Sequence, residues 1–433
     1  MTKQNYVIIP TMRILFLYMF PLWGNGSGSY LRALSHELVK RGHDIGIVAP
    51  DKRTLPGVKH YAVNPPQMGV FAGHPELPNA KKFEDMSGRE LGEIYTSYLK
   101  ITIQAVSDFN PEIIHVFHTA FLPGIARIIK ILFGIKFIIT THGSDLSYLV
   151  KDRRFLGLIS DANKVARFIT ANSDFTKKWY LDIFGEYLRH KSTVIMGGVN
   201  IGDYKRDPKE IETINNKYNL NGKKVVLFTG RLTRHKGAIY LVKAAPFING
   251  IVIIAGDGPE RKTIEDEIKK EKIKNVIMAG YIPTGGKRLF HAFYERADVY
   301  ICPSTWNEPL GLTILEAMAA HTPVLATEKG GVVSIIQDKV NGFFIKPRNS
   351  KQIAEIVNML FADDKLRKKV ADSAYNTVVQ HFTWVKIAGE FENIYKQFKY
   401  STSEYLARVK GMNPQLSNFM RSMHKLGIPV NGQ

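Results

Sequence analysis

The sequence is poor in cysteine and in acidic residues, and it lacks a long apolar run free of charge. Its single cysteine, Cys302, excludes an internal disulfide and favours a reducing compartment. Its 39 Asp and Glu are outnumbered by 59 Lys and Arg, which gives a formal net charge of +20. Such an excess predicts a polyanionic partner or surface: nucleic acid, an anionic membrane or phosphorylated substrates.

Neither a secretory signal nor a membrane-spanning helix is predicted. The apolar stretch 14–23 is short and has no small-residue cleavage site behind it, so it reads as a buried strand. The segment 120–141 is long enough to span a bilayer, but Arg127, Lys130 and Lys136 would each be costly in hydrocarbon. We expect a helix followed by a strand there, with an amphipathic helix lying on a membrane as the alternative.

Apolar strands that alternate with helices are abundant instead. With 433 residues, the chain is too long for one ordinary domain, and 45% hydrophobic with 23% charged residues is typical of a globular protein. Continuous apolar strands separated by helices indicate parallel sheets covered on both faces. The expected strands are 13–20, 44–49, 113–117 and 137–141, then 224–229, 251–255, 276–279, 299–302 and 324–326.

The strand pattern predicts an α/β protein with two doubly wound domains, 1–200 and 201–384, and ligands at the carboxyl ends of their strands. The helical segment 385–433 is expected to pack back on the first domain, although its basic end could also lie on an acidic surface. The proline-rich region 50–100 is interpreted as a long excursion that forms a substrate loop.

The most specific motif runs over residues 303–319. It follows an expected strand, places Glu308 in a loop and begins a helix near Gly311 that carries Glu316. Proline and glycine thus separate one glutamate in the loop from another about a turn and a half into the helix.

This motif suits a sugar carried on a diphosphate. The backbone N–H groups of Leu312 and Thr313 would be free at the helix start, where anions bind. Glu316 could accept two hydrogen bonds from a diol such as ribose, and Glu308 would face whatever the phosphate carries. The alternative is that both glutamates are merely solvated carboxylates at a helix start.

A basic cluster follows the first strand of the second domain. Within residues 228–237, Arg231 supplies a planar fork and Lys236 a point charge, a pairing that suits a diphosphate. The alternative is a basic surface loop. The nearby Gly256-Asp257-Gly258 resembles a dinucleotide fingerprint, but Arg261 stands where its third glycine is needed, which favours a structural turn.

The first domain offers a glycine loop and a histidine. Gly26 and Gly28 lie between the first strand and helix, where backbone can approach a phosphate or sugar closely. With Asp51 near the second strand's end, a dehydrogenase is a weak alternative. His142 closes a strand and would point into the cleft, where it could bond a sugar hydroxyl. No cysteine cluster or His-x-x-x-His helix predicts a metal site.

Together these residues resemble the retaining glycosyltransferases of family 4, which have the GT-B fold of two Rossmann-like domains facing across a cleft. The likeness covers nearly the whole chain. It rests on Glu308-x7-Glu316 with Gly311-Leu312 and Ala317-Met318-Ala319, Gly230-Arg231-Leu232, Lys236-Gly237, the glycine loop 24–28, residues 40–44, Thr141-His142-Gly143, residues 194–199, Gly330-Gly331 and Asn341-Gly342.

The resemblance implies roles for individual residues. Arg231 and Lys236 would bind the donor diphosphate and offset charge on the leaving nucleotide. Glu316 would hold the ribose, and Glu308 would contact the transferred sugar. The remaining implied roles are phosphate binding by the amides of Leu312 and Thr313, a reacting-centre position for His142, and a flexible loop at Gly26 and Gly28.

The implied activity is transfer of a hexose from a UDP- or GDP-sugar to a glycan or lipid-linked acceptor, with retention of configuration and without a metal or other cofactor. A nucleotide-sugar epimerase of the same fold and a catalytically silent binding subunit are the alternatives. We expect a cytoplasmic protein that does not bind nucleic acid, and the net charge makes the anionic inner face of the cell membrane a candidate surface.

Three departures from the family pattern stand out. His321 replaces a glycine before Thr322-Pro323, and Val333-Ser334 replaces Pro-Glu after the glycine pair. These two are expected to alter donor preference. Residues 197–200 read Gly-Gly-Val-Asn in place of Asn-Gly-Val-Asp, which we interpret as linker variation.

Overall fold

The computed structural model describes residues 11–71, 77, 79–282 and 288–398. It contains two parallel sheets with helices on both faces, so the predicted α/β class and doubly wound topology are confirmed. The predictions for the basic tail beyond residue 400 lie outside the described residues. Among the described residues, no helix is both long and apolar enough to cross a membrane.

The first sheet has seven parallel strands in the order β3-β2-β1-β6-β7-β8-β9. Its central strands are fully buried because helices cover both faces. The strands up to residue 194 are β1 (Arg13–Leu17), β2 (Asp44–Ala49), β3 (Val58–Ala62), β4 (Gly69–Val70), β5 (Lys81–Lys82), β6 (Ile113–Phe117), β7 (Lys136–Thr141), β8 (Phe168–Ala171) and β9 (Ser192–Val194). The helices are α1 (Gly26–Lys40), α2 (Gly88–Phe109), α3 (Leu122–Phe133), α4 (Ser144–Lys151), α5 (Leu156–Val165) and α6 (Asp174–Phe184).

The second sheet has six parallel strands in the order β12-β11-β10-β13-β14-β15. Its strands are β10 (Val225–Thr229), β11 (Ile251–Ala255), β12 (Val276–Gly280), β13 (Val299–Cys302), β14 (Val324–Thr327) and β15 (Phe343–Ile345). Its helices are α7 (Pro208–Tyr218), α8 (Ala238–Ala244), α9 (Arg261–Lys270), α10 (Arg288–Arg296), α11 (Leu312–Ala319), α12 (Ser350–Ala362) and α13 (Asp364–His381).

After α13 the chain returns to the first domain. Helix α14 (Trp384–Tyr395) packs against α1, and its apolar side chains belong to the first domain's core cluster. Arg41 at the end of α1 donates to Glu392 at 2.8 Å, and His43 lies 3.0 Å from the same carboxylate. Tyr395 reaches His115 in β6 at 2.7 Å. The described end of the chain is therefore integrated into the first sheet's packing.

The two crossings between the domains lie side by side. The Val199 N–H donates to the Phe382 carbonyl at 2.8 Å, and Val199 pairs with Thr383 in a parallel bridge. A Cβ at Gly198 would come within 2.9 Å of the Thr383 backbone, which explains the glycine. The variant segment 197–200 is thus part of a tight double linker.

Region 50–100 is more structured than a loop. It contributes the edge strand β3, a small parallel sheet of β4 and β5, and helix α2, which Ser87 and Glu90 start with a reciprocal capping box. At 120–141, the predicted helix and strand are confirmed as α3 and β7.

The first strand is shorter than predicted, and the first helix begins earlier. Strand β1 ends at Leu17, since Pro21 soon follows and the Tyr18 hydroxyl turns to the Asn25 side chain at 2.7 Å. Asn25 caps α1 by accepting the Gly28 N–H at 2.7 Å. Gly26 and Gly28 are therefore in the first helical turn rather than in a free loop.

Candidate active site

A cleft of about 1650 Å³ lies between the two domains, at the carboxyl ends of both sheets. Nine of the ten predicted site residues line it: Gly26, His142, Arg231, Lys236, Glu308, Gly311, Leu312, Thr313 and Glu316. The tenth, Gly28, does not line the cleft and lies buried in the first turn of α1, between Ser27 and Ser29, which do. The structure thus brings together side chains that are up to nearly 300 positions apart in sequence.

Glu308 is held by three side-chain donors. Lys236 Nζ lies 2.8 and 2.9 Å from its two carboxylate oxygens, Trp306 Nε1 donates at 3.2 Å, and the Ser304 hydroxyl donates to Oε1. Burial works to raise the pKa of Glu308, but the Lys236 charge and these hydrogen bonds outweigh it and hold that pKa below its ordinary value. The group is therefore a fixed carboxylate at neutral pH.

A glycine pair holds the backbone of the Glu308 loop. Gly331 donates its N–H to the Glu308 carbonyl at 2.6 Å. A Cβ on Gly330, which has φ +63°, would lie 2.2 Å from that same carbonyl, and one on Gly331 would lie 2.1 Å from the Pro309 carbonyl. Only glycine permits so close an approach. The sequence contained this pair, but only the fold reveals that it supports the glutamate.

Helix α11 begins in this loop. Gly311 precedes it with φ +99°, a left-handed conformation that favours glycine. Leu312 and Thr313 form the first turn, so their N–H groups have no acceptor within the helix. The helix start opens into the cleft, where these donors and the helix dipole favour an anion.

Glu316 is bound to a tyrosine that the sequence did not single out. Tyr294 of α10 donates its hydroxyl to Glu316 Oε2 at 2.6 Å and also lies 2.6 Å from Thr229 Oγ1. Burial raises the pKa of Glu316 to about 7, and the Tyr294 bond offsets only part of that effect. No spacing rule links Tyr294 to Glu316, because their contact depends on the packing of α10 against α11.

Arg231 differs from Lys236 in having no carboxylate partner. Among the described residues, no ion pair reaches its guanidinium, and its Nε is buried without a hydrogen-bond acceptor. Burial lowers the pKa of Arg231, because the guanidinium is partly removed from water. Gly230 and Gly256 line the cleft beside it. The expected cation is present, and no carboxylate in the described ranges pairs with it.

His142 closes β7 at the other wall of the cleft. Its ring stacks on Phe117 at 5.6 Å and meets Tyr30 edge-on at 5.2 Å, and its Nε2 is buried without a partner. Burial lowers the pKa of His142 well below its ordinary value, and the neighbouring His118 acts in the same direction. The ring is therefore neutral and has a nitrogen free to bond a ligand.

His118 was not predicted as a site residue, yet it lies beside His142 with ring centroids 4.8 Å apart. It has φ +75°, which is unfavourable for a bulky side chain. Its Nε2 lies 3.0 Å from Ser27 Oγ in the first turn of α1. Burial lowers its pKa to about 4, against the effect of Asp145. The positive φ is invisible in sequence, which explains why the residue was missed.

The two walls touch at Pro309. Its carbonyl accepts the Ser173 hydroxyl and, at 3.4 Å, that of Thr176, both at the start of α6. Gly143, with φ +91°, lies so close that a Cβ would be 2.6 Å from Pro309 Cγ. The loop that carries Glu308 is therefore in direct contact with the first domain, next to His142.

Two family models match the chain. Residues 24–203 match the model described as Glycosyltransferase Family 4, and residues 210–377 match Glycosyl transferases group 1. The chain belongs to the glycosyltransferases of family 4. This family assignment confirms the predicted resemblance, and the chain is a glycosyltransferase with the GT-B fold.

Individual relatives agree with the family assignment. An uncharacterized glycosyltransferase of Methanocaldococcus jannaschii is 28% identical over 398 residues, covering 86% of this chain and 94% of the relative. Anabaena HepE, solved with UDP and glucose, has a TM-score of 0.69 at 20% identity and covers 89% of this chain and all of its own. Sucrose-phosphate synthase of Thermosynechococcus elongatus has a TM-score of 0.72 at 19% identity and covers 89% and 98% of the two chains.

Two of the departures from the family pattern lie away from the cleft. The His321 ring stacks on Tyr375 at 3.9 Å and lies 3.4 Å from Asp372, at the outer end of α11. Val333 is about half exposed on a short 3₁₀ turn. Neither residue lines the cleft, which argues against the expected effect on donor preference.

Proposed function

We propose that this glycosyltransferase moves a hexose from a nucleoside-diphosphate sugar to a hydroxyl of a glycan or glycolipid acceptor, with retention of anomeric configuration. The observation that carries the proposal is Arg231, which no described carboxylate neutralises, in the same cleft as the start of α11 and Glu316. These groups suit a diphosphate and a ribose. HepE, whose fold is similar, was solved with UDP and glucose, and this supports the same donor class here.

The chemistry follows from where negative charge develops. When the bond between the anomeric carbon and the phosphate oxygen breaks, the leaving diphosphate gains charge. Arg231, Lys236 and the amides of Leu312 and Thr313 are preorganised to stabilise it. With that many positive groups, a divalent metal would be redundant. Among the described residues there is also no cluster of three His, Cys, Asp or Glu that could hold one.

Glu308 is better suited to orienting the sugar than to attacking it. A nucleophilic carboxylate must give up its partners, whereas this one is fixed by Lys236, Ser304 and Trp306. We therefore favour attack of the acceptor hydroxyl from the face that the diphosphate leaves. The departing phosphate oxygen takes the acceptor's proton, and the configuration is retained.

Next to Pro309, the acceptor side of the cleft presents neutral groups. His142 has a free Nε2 and, with its low pKa, can exchange one hydrogen bond with a sugar hydroxyl without adding charge. His118 stands beside it and is tied to Ser27. These imidazoles would position the reacting sugar against the charged second-domain wall.

The basic first domain suggests a site on the inner face of the cell membrane. Ile131 on α3 has 66% of its side chain exposed and follows Lys130, whose ammonium donates to the Val165 carbonyl at 2.9 Å. Such a surface could attract anionic lipid. Liposome flotation tests this: recovery with anionic vesicles should exceed that with neutral ones, and equal recovery would contradict an electrostatic contact.

A panel of UDP- and GDP-sugars tests the central proposal, with thermal stabilisation, donor hydrolysis in EDTA and the anomeric configuration of the product as readouts. We expect one donor to stabilise the protein and to be cleaved without added metal. Arg231→Gln should weaken both effects strongly, whereas Arg234→Gln, an exposed change in the same loop, should not. Binding without cleavage would indicate a silent subunit, and interconversion of free donor epimers would indicate an epimerase.

A further inference from the structure

The cleft extends beyond the donor and histidine groups along one face of α1. Ser29, Ala33, His36 and Lys40 recur at helical spacing and all line it, so the groove follows about 16 Å of helix. Leu55 and Pro56, from the connection between β2 and β3, and Val58 at the start of β3 also line the cleft. These three residues form an apolar wall, whereas α1 presents mostly polar and ionisable side chains, Glu37 among them.

Two guanidinium groups lie over one indole at the head of this groove. The Cζ atoms of Arg53 and Arg32 are 4.1 and 5.1 Å from the Trp23 ring centroid. Trp23 and Arg32 line the cleft. Two like charges on one aromatic ring repel each other unless an anion separates or neutralises them.

Asp51 bonds directly to one of these two arginines. It gives both carboxylate oxygens to Arg53, at 3.2 Å each, and Oδ2 also accepts the Leu22 N–H. Among the described residues, the hydrogen bonds of Arg32 go to neutral acceptors, the Leu22 carbonyl and Ser29 Oγ. Burial lowers the pKa of Arg32 and Arg53 contributes in the same direction, whereas Tyr18, Asp51 and Tyr281 act to raise it. A partly desolvated cation, with no directly bonded carboxylate in the described part of the chain, therefore stands at the head of the groove.

We infer that this groove binds the acceptor, and that the acceptor carries an acidic group at Arg32 and an apolar portion against Leu55, Pro56 and Val58. The inference rests on the proposed glycosyl transfer. A planar guanidinium binds phosphate or carboxylate through paired hydrogen bonds, and Trp23 excludes water from one side. The apolar wall then buries the uncharged part of the same molecule.

Binding of three short amphiphiles below their micelle concentration tests the inference: octyl phosphate, octanoate and octyl glucoside. Calorimetry measures affinity, and a fluorescence change that is lost in Trp23→Phe reports that the anion lies at this indole rather than at Trp306 or Trp384, which also line the cleft. We expect the anionic probes to bind at least 10-fold more tightly than the neutral one. Arg32→Gln should remove that preference, and Arg32→Lys should retain part of it. Arg89→Gln, at an arginine 89% exposed on α2, should change nothing.

Equal affinity for neutral and anionic probes, or an anion preference that survives Arg32→Gln, would overturn the inference. Stronger binding of octyl phosphate than of octanoate would identify a phosphate group, and the reverse order a carboxylate. The amphiphile measurement needs no donor. Its failure is therefore distinct from failure of the nucleotide-sugar panel, which would overturn the proposed transfer instead.

Discussion

The two walls of the cleft differ in the charge of the side chains that they present. The second domain presents charge: a fixed Glu308 carboxylate bonded to Lys236, and Arg231, which pairs with none of the described carboxylates. The first domain presents, next to Pro309, two histidines whose pKa values are depressed by burial. In the proposed reaction, the first of these walls serves the charged leaving group and the second serves the reacting hydroxyls. On that proposal, transfer requires both domains.

Removing Lys236 tests the charged wall most severely. Lys236→Met takes away a cation and leaves the Glu308 carboxylate buried without its ammonium partner. We expect a loss of about 100- to 1000-fold in kcat and a fall of about 1–3 kcal/mol in the free energy of unfolding, measured with urea. Lys236→Met with Glu308→Gln should recover most of the stability and none of the activity.

The surface pair of Lys178 and Asp182 gives the matched control for this stability change. Both side chains are more than half exposed, so Lys178→Met should change the free energy of unfolding by less than about 0.5 kcal/mol. If the double variant were no more stable than Lys236→Met alone, the buried pair would not account for the loss.

On the same wall, replacing Arg231 should lower the activity without lowering the stability. Because Arg231 pairs with no carboxylate among the residues that the structure describes, Arg231→Gln should lower kcat about 100-fold while the melting temperature stays unchanged or rises. Steady-state kinetics and thermal denaturation measure the two effects. A large fall in melting temperature would show that Arg231 is a structural group.

We expect Glu316 to make donor binding dependent on pH. Its carboxyl, with a pKa raised to about 7, becomes protonated below that value and then accepts fewer hydrogen bonds from ribose. We expect the donor KM to rise by up to about 10-fold per pH unit below 7, and to lose this dependence in Glu316→Gln. A donor KM that is flat between pH 5.5 and 8 in the unchanged protein would contradict a ribose-binding carboxylate.

The raised pKa of Glu316 also affects the stability of the unliganded protein, which should fall as pH rises. The folded form keeps a proton on Glu316 that the unfolded chain loses above about pH 4.5. The contribution of this group to stability is therefore largest at low pH and falls as pH rises from about 4.5 to 7. Urea titration of the free protein and of Glu316→Gln across this range measures it.

His142 gives the smallest expected effect and tests the neutral wall. Removing one hydrogen bond to a sugar hydroxyl should lower kcat about 10-fold in His142→Ala, with the donor KM unchanged. Because the pKa of His142 lies well below its ordinary value, kcat should be independent of this group between pH 6 and 8. His190→Ala, at an exposed histidine, is the control.

Much of the fold follows from the sequence because buried parallel strands are continuous apolar runs. Strands β2, β6, β11 and β13 have the predicted bounds. Strand β3 was missed, since Lys59 and His60 interrupt it and it lies at the sheet edge. Strand β9 has only three residues, too few to give a pattern.

The candidate site was predictable where it lies on one continuous segment, and unpredictable where it depends on contacts between segments. Glu308, Gly311 and Glu316 form a motif that local chemistry explains. Tyr294 and His118 become recognisable only through a helix contact and a backbone angle. The roles assigned to all of these residues remain predictions for the experiments above.

Because the crossings at Val199 and Phe382 lie side by side, the second domain is an insertion into the first whose two ends are close together. A 2.8 Å backbone hydrogen bond joins Val199 and Phe382, so another domain whose ends lie equally close could replace residues 199–382 without moving α14 from its place on α1. Exchange of this segment between related enzymes should transfer the donor specificity, while the acceptor specificity remains that of the enzyme that supplies the first domain.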